Sequence, residues 1–266
     1  MTAPRTWLRR HWLLTSVGVG VLALAAAAVV VYLVVLQNHA TPISLGEALH
    51  RYRTHHGAAS AGVSLPPPGV YTYRTRGSEA LNLPGGDRSY PDRSTMTVTP
   101  SGCGVTVRWA AIAEHTEEYD ECLGPAKSLA LATSSVTETF FGVVSHDKVT
   151  CSPGSYLRPP TLRPGETWSL ACGAPQVEWR GTGTVIGPAS VAVGSARIPA
   201  VHTRVVFSFA GRNTGTNPSD YWFALDDSRL LRWRGTVDVS QGSSPLGSVR
   251  YHEQFDLSLV TTAPVH

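Results

Sequence analysis

Four cysteines, Cys103, Cys122, Cys151 and Cys172, are the residues whose chemistry is most constrained by spacing. None forms a C-x-x-C. His115 and His146 precede Cys122 and Cys151, but neither pairing completes a zinc signature. An even number of cysteines in an oxidising compartment reads as two disulfides. Three pairings are possible. Cys103–Cys122 and Cys151–Cys172 are favoured, because each pair can lie on consecutive antiparallel strands. Each closes a loop of about twenty residues, worth on the order of 3 kcal/mol. Cys103 also stands between Gly102 and Gly104, but no motif supplies the His base that a thiol nucleophile needs.

Two further groupings invite chemistry. Glu114, Glu117, Glu118, Asp120 and Glu121 crowd around His115 and Tyr119. Oxygen ligands suit Ca²⁺, but there is no D-x-D-x-D-G loop, and alternate acids on a strand point to opposite faces. The cluster therefore reads as a solvated edge. Ser145-His146-Asp147-Lys148 spells S-x-x-K, the acylation motif of penicillin-binding proteins, without the S-D-N and K-T-G that accompany it. Ser145 is expected in a turn before a strand that ends near Cys151. No G-x-S-x-G, H-E-x-x-H or P-loop occurs, and Gly181, Gly183 and Gly187 miss the dinucleotide fingerprint by one residue. The expectation is a protein without catalytic residues, metal or cofactor.

Binding chemistry remains. Trp109, Trp168, Trp179, Trp222 and Trp233 are candidates to line an apolar cavity able to hold an acyl chain, although most such rings simply fill a core. Arg74, Arg108, Arg232, Arg234 and Arg250 recur on the opposite strand face. There they pair with acids across strands or meet an anionic envelope polymer.

The elements that must position these residues begin with an anchor. Trp12 to Leu36 carries no charge. At about 1.5 Å per residue it would reach roughly 37 Å, enough to cross a hydrocarbon core of about 30 Å. Arg5, Arg9 and Arg10 precede it, so the N-terminus is expected in the cytoplasm and the remainder outside. A cleaved signal would have a shorter apolar core and small residues where Asn38 stands. The chain has 22 Lys plus Arg against 19 Asp plus Glu. The three arginines before the span leave the exported part at 19 against 19, so nucleic-acid binding has no electrostatic basis.

Ser44-Leu45-Gly46-Glu47 is a capping box that opens a short amphipathic helix to about His55, with Leu45, Ala48, Leu49 and Tyr52 on one face. Its role is a stalk, a support for the domain, or a partner-binding helix. The segment from Gly57 to Gly69, ending in three prolines, is a linker. Beyond it the period changes to two. Tyr71, Tyr73 and Thr75 alternate with Arg74 and Arg76. Val105, Val107 and Trp109 alternate with Thr106 and Arg108. Val205, Phe207 and Phe209 face one way, as do Tyr221, Phe223 and Leu225. Val249, Tyr251, Phe255, Leu257 and Leu259 oppose Arg250, His252, Gln254, Asp256 and Ser258. The chain divides into a cytoplasmic tail (1–11), a transmembrane helix (12–36), a juxtamembrane helix and linker (37–68), an antiparallel β-domain (69–262) and a tail (263–266). The fold class is mainly β. The domain, with ten to thirteen strands and two disulfides, is a curved sheet, half-barrel or sandwich, with a closed barrel equally compatible with the periodicity.

The stretches SLGEALHRYR, PPGVYTYRTRGSE, SGCGVTVRW, ETFFGV and Trp168 to Cys172 resemble uncharacterised membrane-anchored extracytoplasmic proteins of high-GC Gram-positive bacteria. GTVIGPASVAVGSARIPAVHTRV with DYWFALDDSRLLRW is similar to the outer strands of lipoprotein-carrier (LolA-like) curved sheets. That resemblance implies acyl-chain binding in the hollow of an unclosed barrel, though an anchor and two disulfides depart from those soluble carriers. The expected function is non-enzymatic binding of a hydrophobic or cell-envelope ligand by a membrane-tethered domain. The alternatives are an envelope interaction or sensing module, and a cell-wall or lipid hydrolase.

Overall fold

A computed structural model of the chain describes residues 29, 32, 38–56, 66–244 and 247–266. The expected span at 12–36 lies outside the described residues except for positions 29 and 32, as does most of the linker. Among the described residues no helix is long and apolar enough to cross a membrane. Helix α1 (Leu45–His56) is followed by fourteen strands: β1 (Gly69–Leu81), β2 (Asp87–Ser89), β3 (Arg93–Pro100), β4 (Gly104–Ile112), β5 (His115–Leu123), β6 (Leu129–Phe140), β7 (Val143–Cys151), β8 (Tyr156–Arg158), β9 (Thr167–Ala174), β10 (Val177–Val193), β11 (Ala196–Gly211), β12 (Asn213–Ala224), β13 (Leu230–Ser244) and β14 (Gly247–Leu259).

Neighbours in sequence pair antiparallel around the sheet, and β14 then returns to β1 from Tyr73↔Leu259 to Leu81↔Tyr251. Twelve strands make a closed meander, with β2 and β8 off the ring. The sheet is therefore neither a half-barrel nor a sandwich, and the hollow is not that of an unclosed barrel. Period-two alternation reports which face of a strand is dry, but the ladder between β1 and β14 joins residues far apart in sequence. Closure at this point requires Gly77, since a Cβ there would stand 2.2 Å from the Gln254 carbonyl.

The odd-numbered apolar side chains of β1, β4, β11 and β14 face inward, as the alternation predicts. Leu225 is the exception: it lies in the turn after β12 and is exposed. In the half of the barrel away from the β6–β7 turn, rings fill the lumen. Trp109 packs on Trp233 (5.3 Å between centroids) and Phe255 (5.0 Å), and Tyr221 stacks on Trp233 (5.6 Å). Arg158, itself buried, donates to the Ala126 and Lys127 carbonyls at that end.

The segment before the barrel braces its outside. Ser44 Oγ accepts from the Glu47 amide at 3.1 Å, but the Glu47 carboxylate turns to Arg51, so only half of the capping box forms. Ala48 and Tyr52 bury with Ile43 against Val70 and Ala110 on the outer faces of β1 and β4. Glu114, in the β4–β5 turn, accepts from the amide (2.8 Å) and hydroxyl (2.6 Å) of Thr41. The C-terminal residues also dock, with Val265 bridging to Val70.

The two disulfides are Cys103–Cys122 and Cys151–Cys172. The first ties the β3–β4 turn to β5, whose ladder with β4 already runs from Gly104↔Cys122 to Ile112↔His115. The second spans the narrowest ladder of the ring, where β7 meets β9 only at Thr150↔Gly173 and Cys151↔Cys172. The Cys151→Ser/Cys172→Ser double variant should lose about 3 kcal/mol in urea unfolding. Hydrogen exchange should rise first along β7 and β9. Uniform protection across that seam in the double variant would contradict its dependence on the disulfide.

Candidate functional site

A barrel of eight strands has an interior that side chains just fill, and larger rings leave space. Here the rings occupy one end, and the other holds a cavity of about 950 Å³. One wall is apolar, with Trp179, Phe207 and Phe209 from β10 and β11 and Val237 from β13. Leu83, Phe141 and Val143 lie at the mouth, where Val143 is 72% exposed. A second, polar wall, from β5, β6 and β14, carries His115, Glu117, Glu138, Tyr251 and Glu253, the last the cross-strand neighbour of Val237.

That second wall overturns the reading of the acid cluster as a solvated edge. Alternation along β5 sends His115, Glu117, Tyr119 and Glu121 inward, while Glu118 is exposed and Asp120 accepts from Thr106 and Thr133 between the neighbouring strands. His115, Glu117 and Glu121 are buried. Glu79 of β1 and Glu253 of β14 join them, both 1% exposed. Arg88, from β2, reaches in at 2.7 Å from Glu79 Oε1, donates to the Thr139 carbonyl at 2.5 Å and lies 3.8 Å from the centre of the Phe140 ring.

Hydrogen bonds order the group. His115 Nδ1 and Glu79 Oε2 are 2.7 Å apart, and the Tyr251 hydroxyl donates to the same oxygen at 2.9 Å. The Tyr90 hydroxyl donates to Glu253 Oε1 at 2.6 Å, and Tyr119 donates to Glu117. His115 Nε2 stands 3.4 Å from Glu117 Oε1. Two trios bring ligand atoms within 4.8 Å of one another, Glu79–His115–Glu138 and His115–Glu117–Glu253.

The protonation states follow from burial set against these partners. Burial works to raise the Glu79 carboxyl, yet His115, Arg88 and the Tyr251 hydroxyl hold it below its usual range. Burial disfavours the His115 cation, but Glu253, Glu79 and Glu117 hold its pKa well above the ordinary value. Burial pushes Glu253 up to about 8 despite the pull of His115. Burial likewise raises Glu138 to about 7. Glu121 is raised to about 8 by burial alone.

Of the five tryptophans singled out from sequence, Trp179 alone lines the cavity. Trp109 and Trp233 are in the ring plug, and Trp168 lies against Gly183 with its indole donating to the Tyr156 carbonyl. Trp222 is on the outer face, stacked on His202 at 4.3 Å with Arg232 over it. Arg232 and Arg234 pair there with Asp256, the cross-strand arrangement expected of them. Ser145 to Lys148 lie within β7 rather than in a turn. Ser145 and Asp147 line the cavity, so a residue three positions after Ser145 projects from the other face and Lys148 cannot serve Ser145. Cys103 is spent in its disulfide. Glu79, Arg88, Tyr90, Glu138 and Glu253 were not anticipated. Their signal was parity, since Glu253 shares the inward face of Tyr251 and Phe255.

No family model matches the chain, and no curated protein matches it. Among solved structures it is similar to the hypothetical lipoprotein YmcC from Escherichia coli K12, at 9% identity over 81% of this chain and 97% of that one. The TM-score is 0.32, too loose a likeness to bear on function.

Glu121 provides a test of this interior electrostatics. Folded, its proton is held to about pH 8, whereas the unfolded carboxyl releases it near 4.5. The stabilisation is thus complete below pH 4.5 and is lost as pH rises towards 8. Glu121→Gln should match the parent at pH 4 and be the more stable by on the order of 3 kcal/mol at pH 8, read by urea unfolding. An equal difference at both pH values would show that Glu121 ionises freely.

Proposed function

We propose that this chain is a membrane-tethered, extracytoplasmic barrel that binds an amphipathic envelope ligand in its lumen without transforming it. The observation that carries the reading is the cavity, whose volume of about 950 Å³ lies at the upper end of the range for small-molecule sites. Its apolar wall of Trp179, Phe207, Phe209 and Val237 suits an alkyl chain, each methylene of which contributes about 0.8 kcal/mol when withdrawn from water. Glu138 and Tyr251 on the polar wall suit a polar headgroup, and Leu83, Phe141 and Val143 give the mouth an apolar lip.

Extracytoplasmic placement is supported by the two disulfides and by the arginines that precede the apolar stretch 12–36. A protein-interaction module would be favoured by a filled core, and this interior is open. A hydrolase would need an activated nucleophile, and the S-x-x-K residues project from opposite faces of β7.

Native mass spectrometry of the full chain, purified in detergent from its own host, should show an adduct of lipid mass. Val136 and Val237 line the cavity from β6 and β13. The Val136→Trp/Val237→Trp variant should keep its β circular dichroism and lose the adduct. A clean apo mass for the unmodified chain, or an adduct that persists in the filled variant, would overturn lumenal binding.

A further inference from the structure

The inner wall contains a second arrangement whose geometry is that of a coordination site. His115, Glu117 and Glu253 are 1%, 7% and 1% exposed. A ring nitrogen of His115 and one carboxylate oxygen from each acid lie within 4.8 Å of one another, with Glu117 Oε1 3.4 Å from Nε2 and Glu253 Oε1 4.0 Å from Nδ1. The imidazole is already oriented. Its Nδ1 faces Glu79 Oε2 at 2.7 Å, and since a carboxylate only accepts, Nδ1 carries the proton of that bond. Glu79 is in turn held by Arg88 and by the Tyr251 hydroxyl. A carboxylate behind one ring nitrogen, with the other nitrogen directed forward, is how metal-binding histidines are commonly held.

The forward nitrogen is unsatisfied. His115 Nε2 makes no hydrogen bond to any described residue, and the ring borders the cavity. Glu117 Oε1 stands 3.4 Å from it. A charge-assisted N–H···O bond would close to about 2.7–2.9 Å. Two ligands that each bind one metal ion at about 2.0–2.2 Å stand about 3.0–3.5 Å apart.

We propose that His115 Nε2, Glu117 and Glu253 bind one divalent first-row transition-metal ion, with Glu79 as the outer carboxylate that orients the imidazole. One nitrogen and two carboxylates suit Zn²⁺, Mn²⁺ or Fe²⁺, whereas Ca²⁺ takes six to eight oxygens. Two carboxylates balance the charge of the ion, and the remaining coordination positions open towards the cavity. The inference stands apart from the amphiphile reading, since neither needs the other.

The test uses the full chain in detergent, stripped with a chelator and titrated with Zn²⁺ by calorimetry, with Co²⁺ absorption as a second readout. One equivalent should bind, and Glu117→Gln and Glu253→Gln should each weaken it by about tenfold or more. Glu253→Gln keeps an oxygen for the Tyr90 hydroxyl, so it carries the test if Glu117→Gln fails to fold. His202→Ala and His252→Ala remove outer-face histidines paired with Asp220 and Asp238, and should leave binding unchanged. Failure of the unmodified chain to bind would overturn the proposal. So would an affinity untouched by both Gln variants, or one abolished by either outer-face variant.

Discussion

The ladder between β1 and β14 is the constraint on which the other features depend. Once those strands pair, twelve strands must share one circumference, and its interior is wider than one row of side chains from each strand can fill. The chain resolves this unevenly. Trp109, Trp233, Tyr221 and Phe255 plug one end with rings about 5–6 Å apart. The other end also carries rings, Trp179, Phe207, Phe209 and Tyr251 among them, but they line a wall around open space. The cavity is thus a consequence of strand number combined with rings that close the lumen at one end only. Close approach is needed on both sides of Phe255: Gly77 admits the β14 backbone, and Gly235 admits the Phe255 ring, whose Cζ would lie 2.5 Å from an added Cβ.

Electrostatics divides the barrel in a second way. On the outer face, Arg232, Arg234 and Asp256 pair across β13 and β14 where water screens them, so their contribution to stability is small. On the inner wall, the cations that Glu79, Glu117 and Glu253 meet among the described residues are Arg88 and His115, with Glu138 beside them. Water cannot dilute that imbalance, so it is met by hydrogen bonds from Tyr90, Tyr119 and Tyr251 and by carboxyls that keep their protons. Arg88 comes from β2, a strand outside the ring, and its guanidinium sits over the Phe140 ring while it holds Glu79. A strand that adds nothing to closure therefore supplies the cation that makes the acid wall tenable.

How much of this was legible in the sequence follows from the range of each interaction. Alternation is local, so the inward faces of β1, β4, β11 and β14 could be read from parity. The cysteine spacing likewise pointed to the two disulfides. Closure rests on a pairing between the first and last strands, to which no local pattern is sensitive. The acid wall was missed for a different reason. Acids are usually solvated, and that prior outweighed a parity that put Glu117 and Glu121 with His115, and Glu253 with Phe255. Among the tryptophans, Trp222 departs the other way. Trp222 is apolar enough to suggest an interior, yet its parity on β12 is opposite to that of Tyr221 and Phe223, and it stacks outside on His202.

The placement of sulfur follows from the topology. A closed meander has no free edge, so it can open only where a ladder is short, and the shortest is between β7 and β9. The ladder is short at both ends: β9 stops at Ala174, short of residues 143–149 on β7, and after Cys151 the chain crosses to β8, which pairs with β6. Cys151 and Cys172 face each other in what remains, and their bond reinforces it. The integrity of the lumen therefore rests on oxidised sulfur at the one seam where backbone pairing is thinnest. Such a barrel holds its shape best where thiols are not kept reduced.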